Sequence, residues 1–300
     1  MDWLSRMNSA LDYVEEHLPG TVDLAEAAGR AYCSSTHFQR MFTFITNISL
    51  SEYVRRRRMT LAAFELQNSA IKVIELAFKY GYESPEAFTR AFHQLHGVTP
   101  SAARDKGMQL KAYPRMSFHI TIKGDAEMNY RIEERGGFAV IGVEQVIDCR
   151  NGNNFVQIPE FWRTSMEDGT FDRVMKAAPP CKIPGLGAVG AIMCYRCTEE
   201  DTFPYMIGAF DFDSEADPLG LQRIEVKPHT WAIFKSEEGT QAETGEKIQS
   251  VWKRIFPEWF PNSGYEHADG PELELYFSTG EDRGYSEVWI PVVKKAQTLG

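Results

Sequence analysis

Between residues 3 and 104 the apolar positions recur every three or four residues, the spacing of helices with one buried face. Leu4, Met7, Leu11, Val14 and Leu18 make the first stripe, over 3–18, and Pro19-Gly20 ends it. Asp23, with Glu26 three positions on, is a capping pair for a second, short helix. Ser34 caps a third over 35–45, with Phe38, Met41 and Phe42 inward, and a long helix follows over about 50–66. Leu76, Ala77 and Tyr80 mark a fifth helix that Gly81 stops. Ser84-Pro85 starts a sixth, whose Phe88 and Phe92 face a core.

From Tyr130 the period falls to two, the alternation of half-buried strands. Strand patterns begin at Phe138, Gly187, Tyr205, Thr230, Glu272 and Ser286, and helical stretches interrupt over about 158–177 and 243–256. The order strand, helix, strand, strand occurs twice, and Phe138-Ala-Val-Ile echoes Trp231-Ala-Ile-Phe. This predicts a doubled α+β unit: one antiparallel sheet with two helices on one side. The chain thus divides into an all-α domain over 1–107, a linker over 108–127 whose 117–123 alternate like a strand, an α+β domain over 128–295, and a tail over 296–300.

The helical part repeats itself. A shift of fifty residues superposes Ala27 on Ala77, Tyr32 on Tyr82, Ser34 on Ser84, Phe38 on Phe88, Arg40 on Arg90 and Phe42 on Phe92. Each copy is a short helix, a tight turn and a second helix with one polar face, a helix-turn-helix. Two copies in one chain can offer recognition helices to successive major grooves, about 34 Å apart.

Charge agrees. The net −10 hides a split: residues 1–123 hold 15 Lys and Arg against 12 Asp and Glu, and residues 124–300 hold 17 against 30. The first part can approach phosphate; the second repels it and suits neutral or cationic ligands. Asp2, Ser5, Arg6, Asn8 and Asp12 interrupt any apolar signal core, and the longest apolar run, 183–195, falls short of the roughly 18 residues of a membrane span, so a cytoplasmic protein without a membrane partner is expected. Five cysteines at irregular spacing fit a reducing compartment. Cys194 and Cys197 form one CxxC with no second pair, so neither a metal nor a cofactor is expected. No Ser-His-Asp or Cys-His constellation marks catalysis, and no catalytic residue is assigned.

The signature Ala-x3-Gly-Tyr-x5-Phe-x-Arg-x-Phe…Gly-x-Thr-Pro, from Ala77 to Pro100, resembles the AraC/XylS family of transcription regulators. The resemblance implies that the outer faces of both recognition helices contact double-stranded DNA. In the first helix these are Ser34, Thr36, His37, Gln39 and Arg40; in the second, Pro85, Glu86, Thr89 and Arg90. The chemistry suits base reading: Arg40 and Arg90 can fork onto guanine O6 and N7, and Gln39 can pair with adenine. Pro85 and Glu86 depart from the polar pattern of the family, so the second copy is expected to read fewer bases. In the run 55–58 four arginines point 100° apart and cannot all meet one backbone; Arg55 is the expected phosphate contact.

The closing Tyr-Ser-Glu-Val-Trp-Ile-Pro-Val at 285–292, with Glu-Leu-Glu-Leu-Tyr at 272–276, resembles the GyrI-like effector-binding domain that Rob-like proteins join to an AraC-type reader. The resemblance runs from about 128 to 295. It implies an aromatic cleft between the two repeats, with Glu287 as the carboxylate that attracts lipophilic cations. A Glu inside an apolar strand needs such a reason. Glu274 is a second candidate. Candidate walls are Trp162, Tyr205 and Phe210, then Trp231 and Trp252, then Tyr276 and Trp289.

Together these readings predict a one-component transcription regulator, an activator by analogy with relatives that govern efflux or stress tolerance, acting as a multidrug sensor. A bound effector would change reader orientation, DNA bending or contact with RNA polymerase. Two readers in one chain allow a monomer or weak dimer. The alternative is a GyrI-like hydrolase of toxic reactive compounds fused to a DNA reader, with Glu287, Glu274 and Tyr205 activating water.

Overall fold

The computed structural model describes residues 3–119, 127–149, 152–177, 189–196, 198, 202–211 and 220–295. The chain forms two units, Met1–His119 and Ile120–Gly300.

Among the described residues the first unit has six α-helices: α1 (Trp3–Glu16), α2 (Leu24–Arg30), α3 (Ser35–Thr46), α4 (Leu50–Asn68), α5 (Val73–Lys79) and α6 (Pro85–His96). Side-chain caps set their starts. Asp23 accepts the N–H groups of Ala25 and Glu26, Ser34 that of His37, Ser49 that of Glu52 and Ser84 that of Ala87. Glu26 does not complete a capping box; it pairs with Arg30 one turn on (3.3 Å). Met59, Ala62 and Leu66 of α4 pack with Leu76, Ala77, Tyr80, Phe88 and Phe92 in a core between α4, α5 and α6.

The internal repeat holds at fifty residues only through the recognition helices. In the second copy Tyr82 donates to Ala77 O, after Gly81 at φ +73°; in the first, Cys33 donates to Ala28 O, after Tyr32 at φ +60°. The leading helices and turns are therefore 49 apart, so Ala28 rather than Ala27 matches Ala77. The second turn holds one residue more before its cap.

Residues 108–118, expected as linker, lie against the helices. Asn8 pairs with Phe118 as a strand neighbour would, donating to its carbonyl (2.9 Å) and accepting its N–H (2.8 Å). Tyr53 Oη takes the N–H of Met116, Thr60 Oγ1 that of Tyr113 and His96 Nδ1 that of Lys111. Borrowing side-chain acceptors, the strap pairs the N–H groups of Lys111, Tyr113, Met116 and Phe118 without entering a sheet. Residues 117–119 carry no strand, and the rest of the strand expected over 117–123 lies outside the described residues.

The second unit contains β1 (Tyr130–Arg135), β2 (Phe138–Asp148), α7 (Asn154–Glu167), α8 (Thr170–Ala177), β3 (Val189–Met193), β4 (Thr202–Asp211), β5 (Gln222–Val226), β6 (His229–Lys235), β7 (Gly239–Thr240), α9 (Thr244–Arg254), β8 (Tyr265–His267), β9 (Glu272–Gly280) and β10 (Arg283–Lys294). The first two residues of the strand pattern begun at Gly187 and the tail over 296–300 lie outside the described residues, as does Cys197.

The single helix expected over 158–177 is two, because Gly169 at φ +78° breaks it. The helix expected to run to 256 ends at Arg254 in a wide turn: Pro257 has no N–H to continue the ladder, and Phe260 N–H reaches back five residues to Ile255 O.

Strand order is β1-β6-β10-β9-β3-β4-β2-β5, with β7 and β8 pairing β10 off that path. The pairings recorded along it are antiparallel. The order reads the same from either end if β1–β4 exchange with β5, β6, β9 and β10, which is the doubling the sequence suggested. Each repeat lends its first strand to the other: β1 pairs β6, and β5 pairs β2.

The sheet curls strongly. Gly142, Gly208 and Gly190 stand side by side on β2, β4 and β3, and a Cβ on Gly142 would lie 2.2 Å from Ile207 O. At about 4.8 Å per strand, β6 and β2 would stand more than 20 Å apart in a flat sheet. Instead Phe138 of β2 and Trp231 of β6 meet with ring centroids at 6.3 Å. The concave interior is filled by Val140, Ile192, Met206, Phe210, Leu275 and Trp289 among others. The helices take the opposite face, where Val174 of α8 packs on Ile141 and Ala209.

Candidate DNA interface and effector cleft

In α3 the core arc is Phe38, Met41 and Phe42; at 100° per residue Thr36, Gln39 and Arg40 turn away from it. Ser34 caps the helix, its Oγ accepting the N–H of His37 (3.3 Å). Arg40 reaches over the ring of Phe44 (5.7 Å to the centroid). His37, Gln39 and Arg40 are buried. In α6, Phe88 and Phe92 are buried while Glu86, Arg90, His93 and Gln94 are exposed, with Thr89 and the first-turn Pro85 half-buried.

The arginine run divides as its angular spread demands. Arg55 and Arg56 both pair with Glu52 (2.8 and 2.6 Å). Arg55 also extends Nη1 to Gln94 Oε1 on α6 (3.4 Å), so it stands beside the exposed arc of that helix. Burial raises the Glu52 pKa, but bonds from Arg55 and Arg56 outweigh it and hold the carboxyl below its usual range. Arg57 grips Glu15 with Nε and Nη2 (2.8 Å each) and donates to Tyr113 O. Arg58 donates to the carbonyls of Leu18 and Gly20. Arg57 and Arg58 hold helices and strap together. The Glu15–Tyr53–Arg57 triad was missed because its partners are 38 and 42 residues apart.

In the second unit the strand pleat divides the candidate effector residues. Glu287 pairs in register with Leu275, so Glu274, one residue earlier, leaves the opposite face. Glu274 is 6% exposed and lies under the helices. Trp252 of α9 donates its indole N–H to Oε1 (2.8 Å), while Tyr276 and Tyr205 donate their hydroxyls to Oε2 (3.0 and 3.2 Å). Trp162 of α7 donates to Tyr205 Oη (2.8 Å), and its ring meets Tyr276 edge-on at 5.4 Å. α7 belongs to one repeat and α9 to the other, so the carboxylate sits at the seam of the doubling. Burial and the nearby Glu274 charge push the Tyr276 hydroxyl well above its usual pKa, keeping it a donor.

Glu287, Trp231, Trp289 and Phe210 lie on the other face of the sheet from Glu274. Glu287 makes a two-pronged pair with Arg131 (2.7 and 3.0 Å) and accepts the Trp289 indole N–H (2.9 Å). Arg135 and Arg131 lie over Trp289. Glu287 is thus an ion-paired carboxylate on the concave face, and the three aromatics lie in the curled interior with it. Alternation along β9 and β10 carried the information, but not which face the helices cover. Phe171, in ring contact with Trp162, is a further residue of the helix face that the sequence did not single out.

Residues 128–293 match the GyrI-like small molecule binding domain family, and residues 27–106 match a helix-turn-helix domain. Among curated proteins, the multiple antibiotic resistance protein MarA of Escherichia coli is 37% identical over 103 residues, 34% of this chain and 81% of MarA. The regulatory protein SoxS of Salmonella typhimurium is 31% identical over 100 residues, 33% of this chain and 94% of SoxS. Among solved structures, SAV2435 bound to tetraphenylphosphonium has 19% identity and a TM-score of 0.44, covering 55% of this chain and 94% of that one. The AdpA DNA-binding domain in complex with a target DNA has 29% identity and a TM-score of 0.31, covering 35% of this chain and 91% of that one. The chain belongs to the GyrI-like family, carried behind an AraC-type helix-turn-helix domain: it is a DNA-binding transcription regulator with a small-molecule-binding domain.

Proposed function

We propose that the chain is a one-component transcription activator, cytoplasmic, whose α+β unit senses a lipophilic cation at Glu274. The observation that carries the reading is the buried Glu274 carboxylate, held by three neutral donors and walled by Trp162, Tyr205, Tyr276 and Trp252. These three donors offset part of the cost of burying the carboxylate. The aromatic rings supply contact area and favourable faces for a cation. A cation whose charge is spread over apolar groups loses little hydration on entry, and the net −13 of residues 124–300 draws it in. In the DNA-binding unit, DNA would be read by Thr36, His37, Gln39 and Arg40 of α3 and by Glu86, Thr89 and Arg90 of α6, with Arg55 as a phosphate contact. Activation follows the AraC-type relatives by analogy.

The site is read as binding rather than catalytic, because the Tyr205 and Tyr276 hydroxyls and the Trp252 N–H are all committed to Glu274. The test is Trp fluorescence of wild type and Glu274→Gln titrated with tetraphenylphosphonium, followed by mass spectrometry. Saturable quenching lost in the variant, with the compound intact, supports a sensor. No quenching by wild type sinks the cation reading. A hydrolysed product, tested with a reactive electrophilic compound, would favour the hydrolase.

A further inference from the structure

The bonds around Glu274 account for Trp162, Tyr205, Trp252 and Tyr276. Two polar groups on the same face are not accounted for: Ser286 Oγ and Gln249 Oε1 are buried without a hydrogen-bond partner. Ser286 is 2% exposed and stands opposite Tyr276 in the β9–β10 register, so it shares the face of Tyr276 and Glu274. Its backbone is spent on Ser236, to whose Oγ it donates and whose N–H it accepts. Its hydroxyl is not.

Gln249 lies on α9 three residues before Trp252, hence on nearly the same arc one turn nearer the helix start. That start is tied to the beginning of β10. Lys247 Nζ donates to Glu238 O (2.7 Å), and Gly239 of β7 pairs with Gly284. Further along, Trp252 is tied to Glu274, whose register partner is Val288. Helix and strand therefore run side by side between the two ties, and that interval holds Gln249 and Ser286. A buried hydroxyl and a buried amide carbonyl without partners are costly to keep.

Resting on the effector reading of the Glu274 cleft, we propose that Ser286 and Gln249 form a polar subsite for a hydroxyl arm of the effector. An alcohol answers both groups at once, donating to Gln249 Oε1 while accepting from Ser286 O–H. The ligand class is then a lipophilic cation carrying a short neutral hydroxyalkyl chain, rather than a bare hydrocarbon cation.

A matched pair of probes tests this: (2-hydroxyethyl)triphenylphosphonium and n-propyltriphenylphosphonium, alike in size and charge but differing by hydroxyl against methyl. Binding of each to the full chain is measured by Trp fluorescence and by calorimetry. Wild type should prefer the hydroxyethyl cation about tenfold. Ser286→Ala and Gln249→Leu should bring the ratio to about one while leaving n-propyl affinity in place, which also certifies their folding. Glu274→Gln should weaken both probes and keep the ratio. Equal wild-type affinity for the two probes, both weakened in Glu274→Gln, would overturn the subsite and leave the effector reading standing. A preference that survives Ser286→Ala and Gln249→Leu would also overturn it. Binding of neither probe would remove the cation reading and the subsite with it.

Discussion

Glu274 and Glu287 stand on neighbouring strands, yet their side chains leave opposite faces of one sheet, because Leu275 is the register partner of Glu287. One carboxylate faces two helices and three neutral donors; the other faces the curled interior and Arg131.

The two glutamates should therefore fail differently. Glu274→Gln should weaken binding of tetraphenylphosphonium strongly with a small change in melting temperature. Glu287→Gln should leave binding in place but cost about 1–2 kcal/mol, since Arg131 is 37% exposed and keeps Glu133 as partner. Titration calorimetry and thermal melting on both variants check this. Lost binding in Glu287→Gln alone would return that residue to the cleft.

On the DNA side, Arg90→Ala should cost about 1–3 kcal/mol on the target operator and relax preference at one base pair. Arg55→Ala should weaken binding to all sequences alike and flatten the salt dependence. Operator titrations at several salt concentrations distinguish the two roles. A variant indistinguishable from wild type would clear its residue of contact.

His96 links α6, α4 and the strap. Its Nε2 lies 3.2 Å from Met59 O and its Nδ1 accepts the N–H of Lys111, so the neutral ring with the proton on Nε2 suits the site. Burial lowers its pKa below 6.5, opposed by the Met59 carbonyl and aided by the Lys111 charge. The unfolded chain then binds more protons, so this stabilisation is present above pH 6.5 and fades as pH falls through the lowered folded value. The melting temperature of the DNA-binding unit should drop on acidification from pH 7 to 5. His96→Phe should remove that part of the slope, and an unchanged slope would exonerate His96.

The curl of the sheet depends on its glycine row. A Cβ on Gly190 would lie 2.5 Å from Glu274 O and 2.7 Å from Leu275. Gly190→Ala should destabilise the second unit by about 1–3 kcal/mol and weaken cation binding, because the displaced strand carries Glu274. Wild-type melting and affinity in this variant would show that the row can flatten.

Local chemistry was legible in the sequence where neighbours along the chain decide it. Caps at Ser34 and Ser84, the stop at Gly81, the core faces of Phe38, Phe42, Phe88 and Phe92, the doubling of the α+β unit and both family resemblances follow from patterns of a few residues. The break at Gly169 and the 49-residue spacing of the first turns were local too, but each turns on one backbone angle that residue identity permits without requiring. Which carboxylate faces the helices was beyond that reach. Period-two alternation says that Glu274 and Glu287 differ in face, and only α7 and α9, packing on one side of a sheet whose other side curls shut, say which is which. The strap and the Glu15–Tyr53–Arg57 triad belong to the same class: they exist because tertiary packing brings together groups that no spacing in the chain connects.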